Sequence, residues 1–244
     1  MAFSTDISRR GAAGVNTGFE IPYSCMFNAD DATHLKRTFG SGNRKTWTWS
    51  CWVKRGRLGS MTTAGNQTWF SPVPTTSGET QMGFRNDDAL RLYGDGGGPL
   101  HETTSYEGGY YRDSSAWYHI VWRFDTSLGT AADRVRLYVN GTHVETGNHL
   151  ADNSTYGTSP PAQHYEGDIN ANTLHALGTY HNLSGSPFEG YLAEIHFIDG
   201  LALAPTEFGE TGDYGDWVPK EVTGVTYGTN GFYLDFSDSG NLGD

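Results

Sequence analysis

The chain has 244 residues, a formal net charge of −12, 33 glycines, 14% aromatic and only 18% charged residues. The aromatic share excludes a disordered chain, and the scattered lysines and arginines exclude a phosphate reader, so neither nucleic acid nor an anionic membrane is an expected partner. No apolar run approaches the roughly 20 residues that span a bilayer, and two cysteines are too few for a disulfide-stapled scaffold.

Residues 1–18 are rich in Gly, Ala and Ser and carry Arg9-Arg10. They are expected to form an arm that docks onto a neighbouring protein rather than folding alone. The start also lacks the apolar centre of a secretory signal. Strand signals then follow one another: 24–28 is short and apolar, and 47–54 (WTWSCWVK) is long and aromatic. In 117–125 (WYHIVWRFD), Tyr118, Ile120, Trp122 and Phe124 share one face, as do Val135, Leu137 and Val139 in 134–140. Asn140-Gly141 is a strong hairpin signal, because both central residues of a type I′ turn need positive φ. Residues 142–145 should return, and further strands are expected at 173–180, 190–199 and 231–236.

Helical periodicity is almost absent; a single turn at 205–208, opened by Pro205, is the exception. Three stretches, 62–80, 94–112 and 147–172, read as long loops unless they hide extra strands. Cys25 and Cys51 lie in apolar runs and are expected as buried free thiols rather than a bridge. The basic groups Lys36-Arg37, Arg44-Lys45 and Lys54-Arg55-Gly56-Arg57 read as solvated strand ends. The spacing predicts an all-β, two-sheet antiparallel jelly-roll sandwich. Its core would occupy 19–210, and 211–244 would form an extension that returns a strand (231–236) to the sandwich or leads to a further module.

Four segments in order carry a resemblance: SCMFNAD (24–30), TWSCWVK (48–54), WYHIV (117–121) with RLYVNG (136–141), and FEGYLAEIHFIDGLAL (188–203). Together they resemble the laminin-G-like branch of the concanavalin A-like lectin/glucanase superfamily, over about 21–208. The C-terminal stretch TEFGE (206–210), WVPK (217–220) and YGTNGFYLDF (227–236) is similar to modules in bacteriophage virion proteins, often fibre or tail-associated. The resemblance implies a structural or receptor-contacting role in a virion, with other virion proteins as partners and a homo-oligomeric assembly. A host-surface glycan is a further partner it suggests.

Because the superfamily includes glucanases, the resemblance raises the question of a retaining hydrolase's acid pair. Such enzymes need two carboxylates about 5–5.5 Å apart, which one strand supplies when acids sit at i, i+2 or i+4 on one face. The nearest candidate, Glu194, has His196 and Ile198 at those positions, and Asp199 falls on the other face. Glu194 is therefore expected to make a structural hydrogen bond, and the chain is expected not to be an enzyme. A polysaccharide-degrading activity is the alternative that Glu194 would have to carry. The nine histidines sit in no H-E-x-x-H pattern and no serine in a G-x-S-x-G elbow. His119 and His196 are expected as hydrogen-bonded sheet residues.

No cofactor is expected from any motif. Calcium at a loop rim stays open, with Asn28, Asp30, Asp31, Asn86, Asp87, Asp88 and Asp168 as candidate ligands. Tyr106, Tyr110 and Tyr111, with Tyr156 and Tyr165, place rings in loops. Such rings can stack on sugars, face a neighbouring subunit or pack the loops down. A carbohydrate-binding, receptor-recognising module is thus the rival to a purely structural one.

Overall fold

The computed structural model describes residues 18–31, 33–59, 65–73, 80–94, 98–103, 111–144, 160–180, 183, 185–238 and 240. Within them two antiparallel sheets face each other. The seven-stranded sheet contains β1 (Cys25–Phe27), β3 (Thr46–Arg55), β8 (Trp117–Asp125), β9 (Val135–Val139), β10 (Thr142–Val144), β12 (Gly190–Asp199) and β15 (Phe232–Leu234). Its order is β1-β12-β3-β8-β9-β10, and β15 also pairs with β12. The six-stranded sheet, β2-β11-β4-β5-β6-β7, contains β2 (Leu35–Thr38), β4 (Gln67–Val73), β5 (Gln81–Phe84), β6 (Leu90–Gly94), β7 (Gly98–Glu102) and β11 (Leu174–Leu177). A small ribbon pairs β13 (Gly209–Thr211) with β14 (Trp217–Pro219), and Pro205–Glu207 forms the expected single turn, a 3-10 helix.

Period-two patterning places the core. Trp47, Trp49, Cys51 and Val53 of β3 point between the sheets, while Thr48, Ser50, Trp52 and Lys54 point outward. Trp49 stacks on Phe70 of the facing sheet at 4.6 Å, and His101 of β7 meets Trp122 of β8 edge-on at 4.9 Å. Interdigitated rings of this size dominate the burial that holds two sheets together. Cys25 and Cys51 are both buried and unbridged; burial pushes their thiols up to about 11 and about 12.

Two of the stretches read as loops contain strands. β4 lies within 62–80, and β7 within 94–112. Their residues, QTWFSPV and GPLHE, break the apolar alternation with Pro, Ser and His. Pairing with neighbours on the sheet, rather than their own pattern, makes them strands. The hairpin at Asn140-Gly141 is present, with φ of 48° and 75°. Gly141 is required there twice, since an added Cβ would also lie 2.3 Å from the Trp217 ring.

The basic group around Lys54 is not uniformly solvated. The Arg55 side chain is fully buried at the end of β3, where it pairs with Asp88 at 2.8 Å and lies 4.1 Å over the Phe84 ring. Asp88 also accepts bonds from Arg112 Nε (2.7 Å) and the Gly59 N–H (2.6 Å). Burial by itself would raise the Asp88 carboxyl; these donors outweigh it and hold the group below its ordinary range. One carboxylate thus ties the end of the first sheet to the β5–β6 turn of the second.

The C-terminal segment folds back over the outside of the seven-stranded sheet. Phe208, Leu203, Val222, Val225 and Tyr227 cover Val121 and Ile198. Asp199 fixes the return. Its oxygens accept from the Asn43 N–H (2.8 Å), Asn170 Nδ2 (2.6 Å) and the Asn230 N–H (3.1 Å). Asn230 in turn bonds Gly40 and Asn170. β15 then docks on β12 beside β1, using the same strand edge on the far side of a bulge between Ala193 and His196.

Candidate functional site

The outward face of the seven-stranded sheet has a closed half and an open half. In the closed half, Trp217 reaches over from β14 and its indole N–H donates to His119 Nδ1 at 2.9 Å. An indole only donates, so neutral His119 keeps its proton on Nε2 and donates it to Ser50 Oγ at 2.9 Å. Burial, with the nearby His196 adding to it, holds the His119 imidazole down to about 3. Ser50 is therefore a hydrogen-bond acceptor here, and His119 has no free basic nitrogen to activate it.

Glu194 stands at the bulge with φ of 47°, a left-handed conformation that a non-glycine residue enters at a cost. Both its oxygens accept from Tyr233 Oη, at 2.9 and 2.8 Å. Tyr233 stacks flat on His196 at 4.4 Å, and His196 Nδ1 bonds Tyr227 Oη at 2.7 Å. Burial and the carboxylate together push the Tyr233 phenol well up, and burial first, with Glu194 second, pushes Tyr227 up to about 12. The shallow cleft at this point is floored by Ser50, Trp52, His119 and His196, and among the described residues Glu194 is the one carboxylate lining it. The expected structural hydrogen bonds of Glu194, His119 and His196 are thus present, with Tyr233, Tyr227 and Trp217 as their partners.

The open half begins two residues away on each strand, past Trp52, His119 and Ala193 and on the same face. Met26 of β1 pairs with Tyr191 of β12, Tyr191 with Lys54 of β3, and Lys54 with Trp117 of β8. The four side chains form one cross-strand row on one face. Met26 is 51% exposed and Tyr191, Lys54 and Trp117 are half-buried. The Trp117 and Tyr191 rings lean toward each other across Lys54, with centroids 6.5 Å apart. Tyr23, 37% exposed, lies three residues before Met26 on the same segment. Sequence reasoning missed this row because its members come from four distant segments. The available signal was the outward phase of each strand, once the inward phase had been assigned.

The tyrosines singled out in the sequence behave differently. Tyr106, Tyr110 and Tyr156 lie outside the described residues. Tyr111 is 7% exposed and packs its ring against Phe84 and, edge-on, Tyr118. Its backbone O accepts from Arg55 Nη1. Tyr165 packs against the main core. Both rings pack inward on apolar neighbours, Tyr111 buried and Tyr165 half-buried.

Of the calcium candidates, Asp88 is filled by two guanidiniums and an N–H, Asp87 pairs with Arg85 at 3.0 Å, and Asp168 with Arg44 at 3.7 Å. A cation there would have to displace an arginine. Asn28, Asp30 and Asp31 form an exposed turn closed by its own hydrogen bonds, Asn28 Nδ2 to Asp31 at 2.8 Å among them. Among the described residues no three His, Cys, Asp or Glu side chains converge as metal ligands.

Among the solved structures similar in fold are the following two. One is domain 4 of AbnA, a GH43 extracellular arabinanase from Geobacillus stearothermophilus, in complex with arabinotriose. It is 16% identical at a TM-score of 0.51, over 84% of each chain. The other is a candidate carbohydrate binding protein from Bacteroides ovatus, also 16% identical at 0.51. The match covers 88% of this chain and 52% of that one, so the chain spans about half of it. Curated proteins provide no match. The family model Laminin_G_3, of the concanavalin A-like lectin/glucanases superfamily, matches residues 28–207, most of the chain, and the chain belongs to that family.

Proposed function

We propose that the chain is a non-catalytic, glycan-recognising sandwich carried on a bacteriophage particle, in a fibre, tail-associated or head-surface protein. The observation that carries the recognition reading is the division of the outward sheet face. The acid-bearing half is closed by Trp217, Tyr227 and Tyr233, and the half beside it is an open row with two aromatic rings. Family membership supports it, as does a fold neighbour that holds arabinotriose. The virion setting rests on the C-terminal stretch from Thr206 to Phe236 and its likeness to phage modules. Other virion proteins and further copies of the chain are the partners that setting supplies.

The non-catalytic reading is supported by the cleft, whose described lining holds one carboxylate where a retaining hydrolase needs two. The test has two arms. A glycan array probed with the purified chain should show saccharide binding, with no reducing ends released from a bound polysaccharide. Sugar release that Glu194→Gln abolishes would instead make the chain an enzyme. For the setting, mass spectrometry of purified particles should find the chain in the virion; its absence from them would overturn that half.

A further inference from the structure

We infer that the open row Met26–Tyr191–Lys54–Trp117 is a binding platform for an acidic saccharide, the ammonium of Lys54 taking the saccharide's carboxylate or sulfate. The inference rests on the glycan-recognising role proposed above and names the site and the ligand class within it.

Register makes the row continuous. Each residue is directly opposite the next on the neighbouring strand. Three strand-to-strand steps of about 4.8 Å give a platform about 14 Å long, enough for a short oligosaccharide lying across the strands. Trp117 is backed by Trp52, Ile21 and Phe19 in a packed cluster, which holds its ring in place before any ligand arrives. Met26 adds a polarizable, adaptable surface at the edge.

Charge selects the ligand class. Among the described residues Lys54 makes no ion pair, although the chain carries 28 acidic against 16 basic side chains. Its neighbours in the chain do pair: Arg55 with Asp88, and Arg57 with Glu189 at 3.9 Å. In register Lys54 stands between Tyr191 and Trp117, both half-buried, so an anion held there is partly shielded from water and gains more than it would at an open surface. A neutral sugar would collect only hydrogen bonds at the same place. The ordinary alternative is that the Lys54 stem merely covers the ring edges while its head stays in water. Lys54→Gln separates the two, because glutamine retains most of the stem and loses the charge.

The experiment uses the full chain and a uronic-acid oligosaccharide drawn from the array hits, alongside its methyl ester, which has the same shape and no charge. Calorimetric titration should give at least about tenfold tighter binding of the acid form, weakening as salt rises. Lys54→Gln should remove the preference and leave the ester unaffected. Tyr191→Ala should weaken both forms, with circular dichroism confirming an unchanged fold. Equal affinity of wild type for acid and ester, or full acid affinity in Lys54→Gln, would overturn the acidic platform while leaving glycan recognition standing. A wild-type chain that binds no saccharide on the array would remove the recognition reading and the platform together.

Discussion

The two sheets bury their outward faces by opposite means. On the seven-stranded sheet the outer residues are apolar and sealed as two small cores, Trp52 and Ala193 under Phe19, Ile21 and Trp217, and Val121 and Ile198 under the C-terminal segment. On the six-stranded sheet the corresponding cross-strand row is Thr68–Gly83–Arg91–Glu102. It is polar and, apart from the half-buried Arg91, buried, and it is held by matched partners. Thr68 bonds Gln81, and Ser71 donates to the Thr80 carbonyl at 2.7 Å. Glu102 pairs with Arg91 at 2.9 Å and Arg85 at 3.2 Å. An apolar layer tolerates approximate fits, because hydrophobic burial has no direction. A buried polar layer does not, because every donor must meet its acceptor. The six-stranded sheet should therefore be the brittle half of the molecule, and the open row of the seven-stranded sheet the half free to vary with a ligand.

The sharpest way to break this contrast is Gly83→Ala. A Cβ there would lie 2.0 Å from the Gln67 carbonyl oxygen, a backbone atom that cannot rotate away. The expected cost exceeds about 4 kcal/mol, read as loss of the cooperative urea transition. A variant as stable as wild type would show that the strands of this sheet can slide apart cheaply.

Acid should act next most strongly, through three buried histidines. Burial holds His101 and His119 down to about 3 and His175 down to about 4. In the unfolded chain each titrates near 6.5. The folded values are the lower ones, so the stability these neutral rings contribute is present above about pH 6.5. It drains as pH falls toward 4, by up to about 1.4 kcal/mol per pH unit for each ring. Urea midpoints should fall across that window, and His101→Phe, which removes one of the two on the six-stranded side, should flatten the fall. A midpoint that does not move between about pH 6.5 and 4.5 would contradict the burial of these rings.

The smallest effect belongs to the closed half of the seven-stranded sheet. Tyr233→Phe removes the hydroxyl that holds Glu194, a carboxylate only 5% exposed. A loss of about 1–3 kcal/mol is expected, read as a lower urea midpoint. No change in stability would mean that the bulge relaxes and lets the carboxylate reach water.

The same contrast governs what could be read from residue order. β8 and β12 match their expected bounds of 117–125 and 190–199, and β3 runs from 46 to 55 where 47–54 was expected. These strands alternate over nine or ten residues with aromatic and branched side chains, so the pattern exceeds the noise. β5 and β6 (QMGF and LRLYG) are four and five residues long, with Gly83, Arg91 and Gln81 where an apolar or solvent-facing residue would give a signal. β2, LKRT, is an edge strand whose lysine and arginine discourage further pairing and hide its own periodicity.

By itself, the order of residues determined the all-β class, the Asn140-Gly141 turn, the inward faces of the long strands and the lack of an acid pair around Glu194. Each of those depends on residues close together in the chain. Tertiary structure alone decided that Tyr111 and Arg55 turn inward, that Trp217 and Tyr233 close over His119 and Glu194, and that Met26, Tyr191, Lys54 and Trp117 stand side by side. Those outcomes depend on register between strands up to 165 positions apart (Met26 opposite Tyr191). A one-residue slip in register would send every one of these side chains to the opposite face.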